Sequence, residues 1–131
     1  MLKIWGRVNS VNVKKALWAA EELGLKYQRI DAGMEHGVTK TPQYMSMNPN
    51  SLVPTIDDDG FVLWESHTIV RYLCAKHAAG TLWPTDLRAR ADAERWMRVP
   101  IERAKYPNVE AWFARLCERP AFRKIVDIPL T

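Results

Sequence analysis

The sequence predicts an α/β fold with the element order β-α-β-α-β-β-α over residues 1–80, followed by a short all-α region over residues 86–131. Three observations predict this order. An apolar run ending at Gly6 precedes a helical repeat of apolar residues, two short apolar segments flank an acidic turn, and a second helical repeat follows them directly. A βαβ unit before a hairpin and a closing helix is therefore expected.

The first strand and helix follow from hydrophobic spacing. Residues 2–5 form a short apolar run. Apolar residues then recur at helical spacing until Gly24 ends the pattern: Val13, Ala16, Leu17 and Ala20. Residues 26–30 alternate as a second strand would, and a polar connection with one irregular helix is expected as far as Met47.

The hairpin and closing helix come next. Strands are predicted over 53–57 and 61–65, separated by an Asp-Asp-Asp-Gly turn. A helix is predicted from Ser66 to His77, with one face that buries Val70, Leu73, Cys74 and His77.

Residues 48–67 carry the clearest indication of a binding site. Proline cannot donate to a strand ladder, so Pro54 suits a strand end that leaves the Val53 backbone able to pair with an extended guest. Ser66 offers a hydroxyl and backbone amides at a helix N-terminus, which favour a carboxylate. A short peptide with a free carboxylate would satisfy both. The alternative is that this hairpin and Ser-capped helix bind nothing, because the same local pattern occurs in domains without ligands.

Composition narrows the function classes. The chain has 131 residues, of which 47% are hydrophobic and 26% charged, as expected for a globular chain with one core. No apolar run approaches the roughly 20 residues of a membrane span, so a cytoplasmic location and no membrane partner are expected. The net charge is +4, but basic and acidic residues are interleaved, which disfavours nucleic acid. Cys74, Cys117 and the three histidines show no metal-ligand or Cys-x-x-Cys spacing, so no metal is expected.

Three segments carry a resemblance to a known family. They are Gly-Arg-Val-Asn-Ser-Val-Asn-Val-Lys-Lys at 6–15, Asn-Pro-Asn-Ser-Leu-Val-Pro at 48–54 and Trp-Glu-Ser-His-Thr-Ile-Val-Arg-Tyr-Leu at 64–73. In their order and separation they resemble a bacterial serine-type glutathione S-transferase, related to the theta class. The resemblance covers residues 1–97. It implies a thioredoxin-like glutathione-binding domain over 1–80 and a truncated helical C-terminal region over 86–131.

The resemblance also implies roles for the residues in these segments. Ser10 would be the catalytic hydroxyl that donates to the glutathione sulfur, which favours the thiolate. The alternative is that Ser10 or Asn12 only caps the first helix, and Asn9 or Asn12 would substitute if Ser10 points away. The remaining implied contacts are with glutathione: Val53 pairing with the cysteinyl unit, Pro54 in the cis form, Glu65 near the γ-glutamyl ammonium, Ser66 on its carboxylate and Lys40 on the glycyl carboxylate.

The chain departs from this family after residue 97. Relatives have five or six helices where this chain has room for about two and a tail, and many carry a basic residue before Val-Pro where this chain has Ser51-Leu52. An internal deletion or an omitted segment near residues 97–99 is inferred. Apolar side chains around Leu17, Val70 and Leu73 would then need cover from residues 88–126 or from a second subunit, so a homodimer is expected.

Two function classes remain open. The first is a glutathione transferase that uses glutathione as co-substrate and a small electrophile as second substrate. The second is a catalytically weak or inactive module of the same fold that binds glutathione or assembles with a protein partner.

Overall fold

The computed structural model describes residues 1–98 and 105–128. Four short strands form one sheet in the order β2-β1-β3-β4. β1 (Leu2–Trp5) pairs in parallel with β2 (Tyr27–Ile30), whereas β3 (Thr55–Asp58) is antiparallel to both β1 and β4 (Phe61–Trp64). The predicted βαβ unit and hairpin are therefore confirmed. The strand predicted to begin at residue 53 begins at Thr55.

Helices join these strands and continue beyond them. Their bounds are α1 Val11–Glu22, α2 Pro42–Met47, α3 Ser66–His77, α4 Leu87–Glu94, α5 Pro107–Cys117 and α6 Pro120–Ile125, with 3-10 turns at Met34–His36 and Arg95–Arg98. Three helices therefore follow residue 86 within the described ranges, where the sequence predicted about two. The predicted junction near 97–99 and the tail at 129–131 lie partly or wholly outside the described residues.

The core lies between the sheet and helices α1 and α3. The apolar positions predicted for the first helix are all buried: Val13, Ala16, Leu17 and Ala20. They pack with Ile4 and Ile56 of the sheet and with Ile69 and Leu73 of α3. At the entry to α1, a Cβ on Gly6 would stand 2.3 Å from a Val13 methyl, so the turn after β1 requires glycine there.

The buried face of α3 differs from the predicted one. Leu73 and Cys74 are buried as expected, but Val70 is only half-buried and His77 is exposed. Ile69, which the sequence analysis did not select, is fully buried. The sheet and α1 together cover the side of α3 that carries Ile69 and Leu73. The buried face of α3 is therefore rotated about the helix axis, away from Val70 and His77.

Helix α6 covers the far end of α1. Ile125 joins the main core, and Phe122 meets Trp18 edge-to-face at 5.2 Å between ring centroids. The buried Lys14 of α1 donates from Nζ to the carbonyl oxygens of Val126, at 3.1 Å, and Ile128. The C-terminal region thus supplies part of the cover that the sequence analysis expected for α1. None of the described helices could cross a membrane.

Candidate functional site

A cis peptide bond joins Val53 to Pro54, as the sequence resemblance implied. Sheet pairing of β3 begins at Thr55, so the Val53 backbone lies just before the ladder rather than within it. Pro54 is buried while Val53 stays half-buried. Val53 is thus placed at a strand entrance where an extended guest has access to its backbone.

A buried polar cluster holds this turn from behind. Tyr44 donates its hydroxyl to the Leu52 carbonyl at 2.7 Å and lies 2.8 Å from the Thr55 hydroxyl. Asn48 donates to the same two oxygens at 2.9 and 3.0 Å. Burial raises the pKa of Tyr44, so its phenol stays protonated at neutral pH and remains a donor. The cluster fixes the position of the Leu52 carbonyl, directly before Val53.

No sequence pattern predicted Tyr44, Asn48 or Thr55 as site residues. The Asn48-Pro49-Asn50 run is a turn signal that marks the place, and the Asn50 backbone amide does donate to the Asn48 side chain at 3.0 Å. The bonds to Leu52 and Thr55 reach across the turn, however, and no local pattern shows them.

The start of α3 is capped from inside the chain. The Glu65 carboxylate accepts from the backbone amides of His67, at 3.0 Å, and Thr68, at 3.2 Å. Glu65 itself has φ of 77°, a left-handed conformation that costs a non-glycine residue free energy. The His67 and Thr68 amides are therefore satisfied within the chain. The contact of a guest carboxylate with Ser66 stays a prediction.

Asn12 links the start of α1 to the start of α3. Ser66, only 3% exposed, donates its hydroxyl to Asn12 Oδ1 at 3.5 Å, and Lys15 donates to the same oxygen at 3.0 Å. Lys15 Nζ also lies 3.2 Å from His67 Nε2. Two predicted site residues, Asn12 and Ser66, are therefore in direct contact.

Ser10 is the N-cap of α1. Its hydroxyl oxygen accepts from the Val13 amide at 3.5 Å, and its own amide donates to the Arg7 carbonyl at 3.3 Å. The capping role that the sequence analysis left open is thus present. A serine hydroxyl that accepts one hydrogen bond still carries a proton to donate, so the cap is compatible with a role toward a bound sulfur.

Two cavities meet at Leu52 and Val53. The smaller cavity, of about 180 Å³, is lined by Asn12, Asn48, Asn50, Leu52, Val53, Pro54, Trp64, Glu65 and Ser66. The second, here called the basic cavity, has about 630 Å³ and is lined by Arg7, Gly33, Met34, Gly37, Val38, Thr39, Lys40, Thr41, Ser51, Leu52 and Val53.

The structure therefore groups most of the predicted site residues. Five of them line the smaller cavity: Asn12, Val53, Pro54, Glu65 and Ser66. Lys40 lines the basic cavity on the other side of Val53, and Ser10 lines neither of the two. Arg7 is a further charged lining residue that the sequence analysis did not assign.

The described part of the chain also contains candidate metal ligands and the thiol of Cys74. Over residues 1–98 and 105–128, no three histidine, cysteine or acidic side chains are grouped as a metal site would need. Cys74 is buried, and burial raises the pKa of its thiol, which disfavours the reactive thiolate at neutral pH.

Comparison with known proteins gives a consistent family. Residues 1–75 match the model for the glutathione S-transferase N-terminal domain. Glutathione S-transferase GstB of Escherichia coli (strain K12) is 48% identical over 99 residues, which is 74% of this chain and 48% of that protein. Glutathione S-transferase 4 of Zea mays is 29% identical over 130 residues, which is 96% of this chain and 58% of that protein. This chain spans about half the length of the curated relatives it matches.

Solved structures agree with this match. The theta class glutathione S-transferase of Xanthomonas axonopodis pv. citri with glutathione bound superposes with a TM-score of 0.89 and 32% identity, over 99% of each chain. Glutathione Transferase E6 of Drosophila melanogaster gives 0.68 and 30%, over 72% of this chain and 44% of that one. The thioredoxin-like fold is common to these structures and this chain.

Proposed function

The chain belongs to the glutathione S-transferase family, and we propose that it binds reduced glutathione across the two cavities and stabilises its thiolate for attack on a small electrophile. The observation that carries this proposal is the smaller cavity, whose lining brings together Val53, Glu65, Ser66 and Asn12. The chain spans about half the length of its curated relatives. The proposal of an activity is therefore based on this site geometry together with family membership.

The cysteinyl unit of glutathione would lie against Val53. A backbone at a strand entrance can add one extended residue as a further strand, and main-chain hydrogen bonds then supply affinity without a specific side chain. The cluster of Tyr44, Asn48 and Thr55 supports this role because it fixes the Leu52 carbonyl next to Val53. Pro54, in the cis form, ends the segment that the guest would follow.

The γ-glutamyl end would lie in the smaller cavity. Ser66 would donate its hydroxyl to the guest carboxylate in exchange for its contact with Asn12, which is long at 3.5 Å. Asn12 would then turn its amide toward the same carboxylate. Glu65 brings a carboxylate to the cavity wall, where the guest's ammonium would lie, while one of its oxygens continues to cap α3.

The glycyl end would cross Val53 into the basic cavity. Lys40 lines that cavity and would hold the glycyl carboxylate as an exposed ion pair, which contributes modest affinity. The chain has Ser51-Leu52 before Val-Pro, where many relatives carry a basic residue, so one family contact to glutathione would be missing and Lys40 would hold the carboxylate without it.

Ser10 would act on the sulfur. A free thiol with a pKa of about 8.5 is mostly protonated at neutral pH, and a hydroxyl donor beside a helix N-terminus stabilises its ionised form. Ser10 keeps its own proton in this role. The thiolate then attacks the electrophile, and the chain contributes by holding both reactants in a reactive geometry.

A second candidate function is a binding or assembly module that holds glutathione or a protein partner without turnover. The observation that favours it is the thin C-terminal region, because α4 and α5 contain no buried residue. A shallow wall positions an electrophile poorly, whereas the glutathione cavities are formed mainly by residues 7–66. A homodimer is part of both candidates, and a cytoplasmic location stays a prediction.

A calorimetric titration with reduced glutathione tests the shared part of both candidates. We expect saturable one-to-one binding per chain, with intact mass recorded on the same sample. A folded chain of full mass that shows no heat of binding would contradict the proposal. A conjugation assay with chlorodinitrobenzene and further electrophiles then separates the enzyme, which raises the rate above the uncatalysed reaction, from the binding module, which does not.

A further inference from the structure

A lysine lies directly behind the wall of the smaller cavity. Lys15 of α1 donates from Nζ to Asn12 Oδ1 at 3.0 Å, and the same Nζ lies 3.2 Å from Nε2 of the buried His67 in α3. Asn12 lines the smaller cavity, whereas Lys15 and His67 line a neighbouring groove between α1 and α3. The Lys15 ammonium is therefore separated from the cavity by the Asn12 side chain.

The Lys15 ammonium determines which end of the Asn12 amide points toward it. A lysine ammonium has N–H donors and no acceptor, so only the carbonyl oxygen of an amide can pair with it. The two ends of an amide have nearly the same shape, and without this contact the group could turn end for end. Nε2 of His67 can likewise pair with the ammonium only as an acceptor, so α1 and α3 each provide one acceptor for Lys15.

The amide nitrogen of Asn12 is the atom left for a guest. Within residues 1–98 and 105–128, both hydrogen bonds of the Asn12 side chain go to its oxygen, from Lys15 and from Ser66. The bond from Ser66 is long at 3.5 Å, so the bond from Lys15 would persist when the Ser66 hydroxyl turns to a guest carboxylate. Ser66 and the amide nitrogen of Asn12 would then donate to the same carboxylate.

We propose that Lys15 is a positioning residue for the γ-glutamyl carboxylate, because it holds the Asn12 amide with its nitrogen toward the guest. This inference rests on the proposed function. Lys15 acts through Asn12 and does not touch glutathione. Its charge adds to the effect, since an amide whose oxygen is bound to a cation becomes a stronger donor at its nitrogen.

A purely structural role for Lys15 predicts a different result. If Lys15 only joined α1 to α3 through His67, its loss would change stability and weaken every ligand of the cavity by a common factor. A positioning role concerns the carboxylate alone. It therefore changes the preference between ligands that carry this carboxylate and ligands that lack it.

Two thiol peptides that differ in this carboxylate test the inference by calorimetry. Reduced glutathione carries it, and 4-aminobutyryl-cysteinylglycine has a hydrogen in its place but keeps the ammonium. We expect Lys15→Met to lower the preference for glutathione about tenfold, the loss of one hydrogen bond to a charged group. Lys15→Arg, whose side chain also only donates, should restore most of it. Lys26→Met, at an exposed lysine outside both cavities, should leave the preference intact.

Lys15 and Asn12 should act as one unit in this preference. Asn12→Ala should lower the preference to the level of Lys15→Met, and the double variant should lower it no further. An additional loss in the double variant would show that the Lys15 charge acts on the carboxylate without Asn12, which overturns the inference.

The outcomes separate this inference from the function on which it rests. If reduced glutathione does not bind the unaltered chain, both fail. If glutathione binds but a folded Lys15→Met keeps the preference of the unaltered chain, the inference fails and the proposed function stands. If Lys15→Met weakens both peptides by one common factor, Lys15 only joins α1 to α3 and the inference is again overturned. Melting temperatures of the same samples show that each variant is folded, and Lys15→Gln, whose amide can pair with either end of Asn12, replaces Lys15→Met if that variant is not.

Discussion

Ser10 combines two roles at the start of α1 that one substitution can separate. In Ser10→Ala, we expect the pKa of bound glutathione thiol to rise while the affinity for glutathione changes little, because the sulfur is the only part of glutathione that the hydroxyl would contact. Ultraviolet titration of the thiolate in the complex measures this pKa. The unfolding free energy should also fall by about 1 kcal/mol through the lost cap.

Asp86→Ala is the matched control for Ser10. Asp86 caps α4 by accepting from the Ala89 amide at 2.8 Å, and it lies outside both cavities. It should reproduce the loss of stability without moving the thiol pKa. An unchanged thiol pKa in Ser10→Ala would end the catalytic assignment and leave the cap as the role of Ser10.

Ser66 is the residue on which carboxylate binding in the smaller cavity depends. Ser66→Ala should weaken glutathione binding by about 1 to 3 kcal/mol, the cost of losing one hydrogen bond to a charged group. The comparison variant is Ser46→Ala, which removes an exposed hydroxyl bonded to the Gln43 carbonyl. Calorimetry on both variants measures the difference, and equal affinities would remove Ser66 from the site.

Tyr44 acts on the site through the backbone that it holds. Tyr44→Phe removes the donor to the Leu52 carbonyl and leaves the ring in place, so we expect stability to fall by about 1 to 2 kcal/mol and glutathione affinity to fall with it. Tyr106→Phe, at a 55% exposed phenol, should change neither. Denaturant unfolding and calorimetry would contradict this role if stability fell but affinity did not.

At the scale of elements, local patterns predicted α1, α3 and all four strands. The bounds of α3 agree at both ends because the apolar repeat and the turn before it define them. The buried face of α3 was partly wrong, since Ile69 faces the core whereas Val70 lines a groove with Leu82 and Met97. Hydrophobic spacing gives the period of a helix, but its rotation depends on which neighbours cover it.

The site was predictable only where its residues lie in family motifs. Val53, Glu65 and Ser66 meet as expected, but the use of Glu65 as the cap of α3 depends on its positive φ, which no propensity indicates. The contact of Asn12 with Ser66 joins residues 54 positions apart. This contact results from the packing of α1 on α3, and no local sequence pattern indicates it.

The junction of α1 and α6 is a charged one and should respond to pH. Arg119 donates to Glu22 at 2.7 Å, and this hydrogen bond outweighs burial and lowers the pKa of Glu22. Burial alone would raise the pKa of Glu21, but hydrogen bonds from Lys124 and Tyr27 outweigh it, so that pKa is also lowered. A lowered pKa in the folded state means that the stabilisation is present above the unfolded value, about 4.3. It is lost as the pH falls further, through the folded pKa.

Thermal unfolding measured between about pH 6 and about pH 3 tests this junction. The melting temperature of the unaltered chain should fall further over this range than that of the double variant Glu21→Gln/Glu22→Gln, because the variant lacks both titrating groups. A Glu118→Gln variant, at an exposed glutamate, should follow the unaltered chain. Parallel curves for all three would show that the two ion pairs contribute nothing to stability.

At the scale of the whole molecule, the C-terminal region has less internal cover than the first domain. Leu17 and Leu73, for which cover from residues 88–126 or from a second subunit was predicted, are both buried within the chain. Exposed large apolar side chains occur in both parts of the chain, and four of those after residue 80 are Leu82 at 54%, Leu87 at 74%, Trp96 at 54% and Trp112 at 51%. Helices α4 and α5, which contain no buried residue, thus carry apolar side chains that a second copy could cover.

We therefore expect this chain to form a homodimer through α4 and α5. Burial of exposed Leu and Trp side chains is the main favourable term in such an interface, and contacts between like surfaces close in pairs. Leu87→Glu/Trp112→Glu should shift the sedimentation coefficient to that of a monomer, because a carboxylate is costly to bury. The melting temperature should rise with protein concentration in the unaltered chain and become independent of it in this variant. Met45→Glu, which places the same charge at a 44% exposed residue of α2, should leave the dimer intact. The prediction is wrong if the unaltered chain is a monomer at every concentration and its melting temperature does not change. The apolar side chains of α4 and α5 would then stay exposed to solvent in a stable monomer.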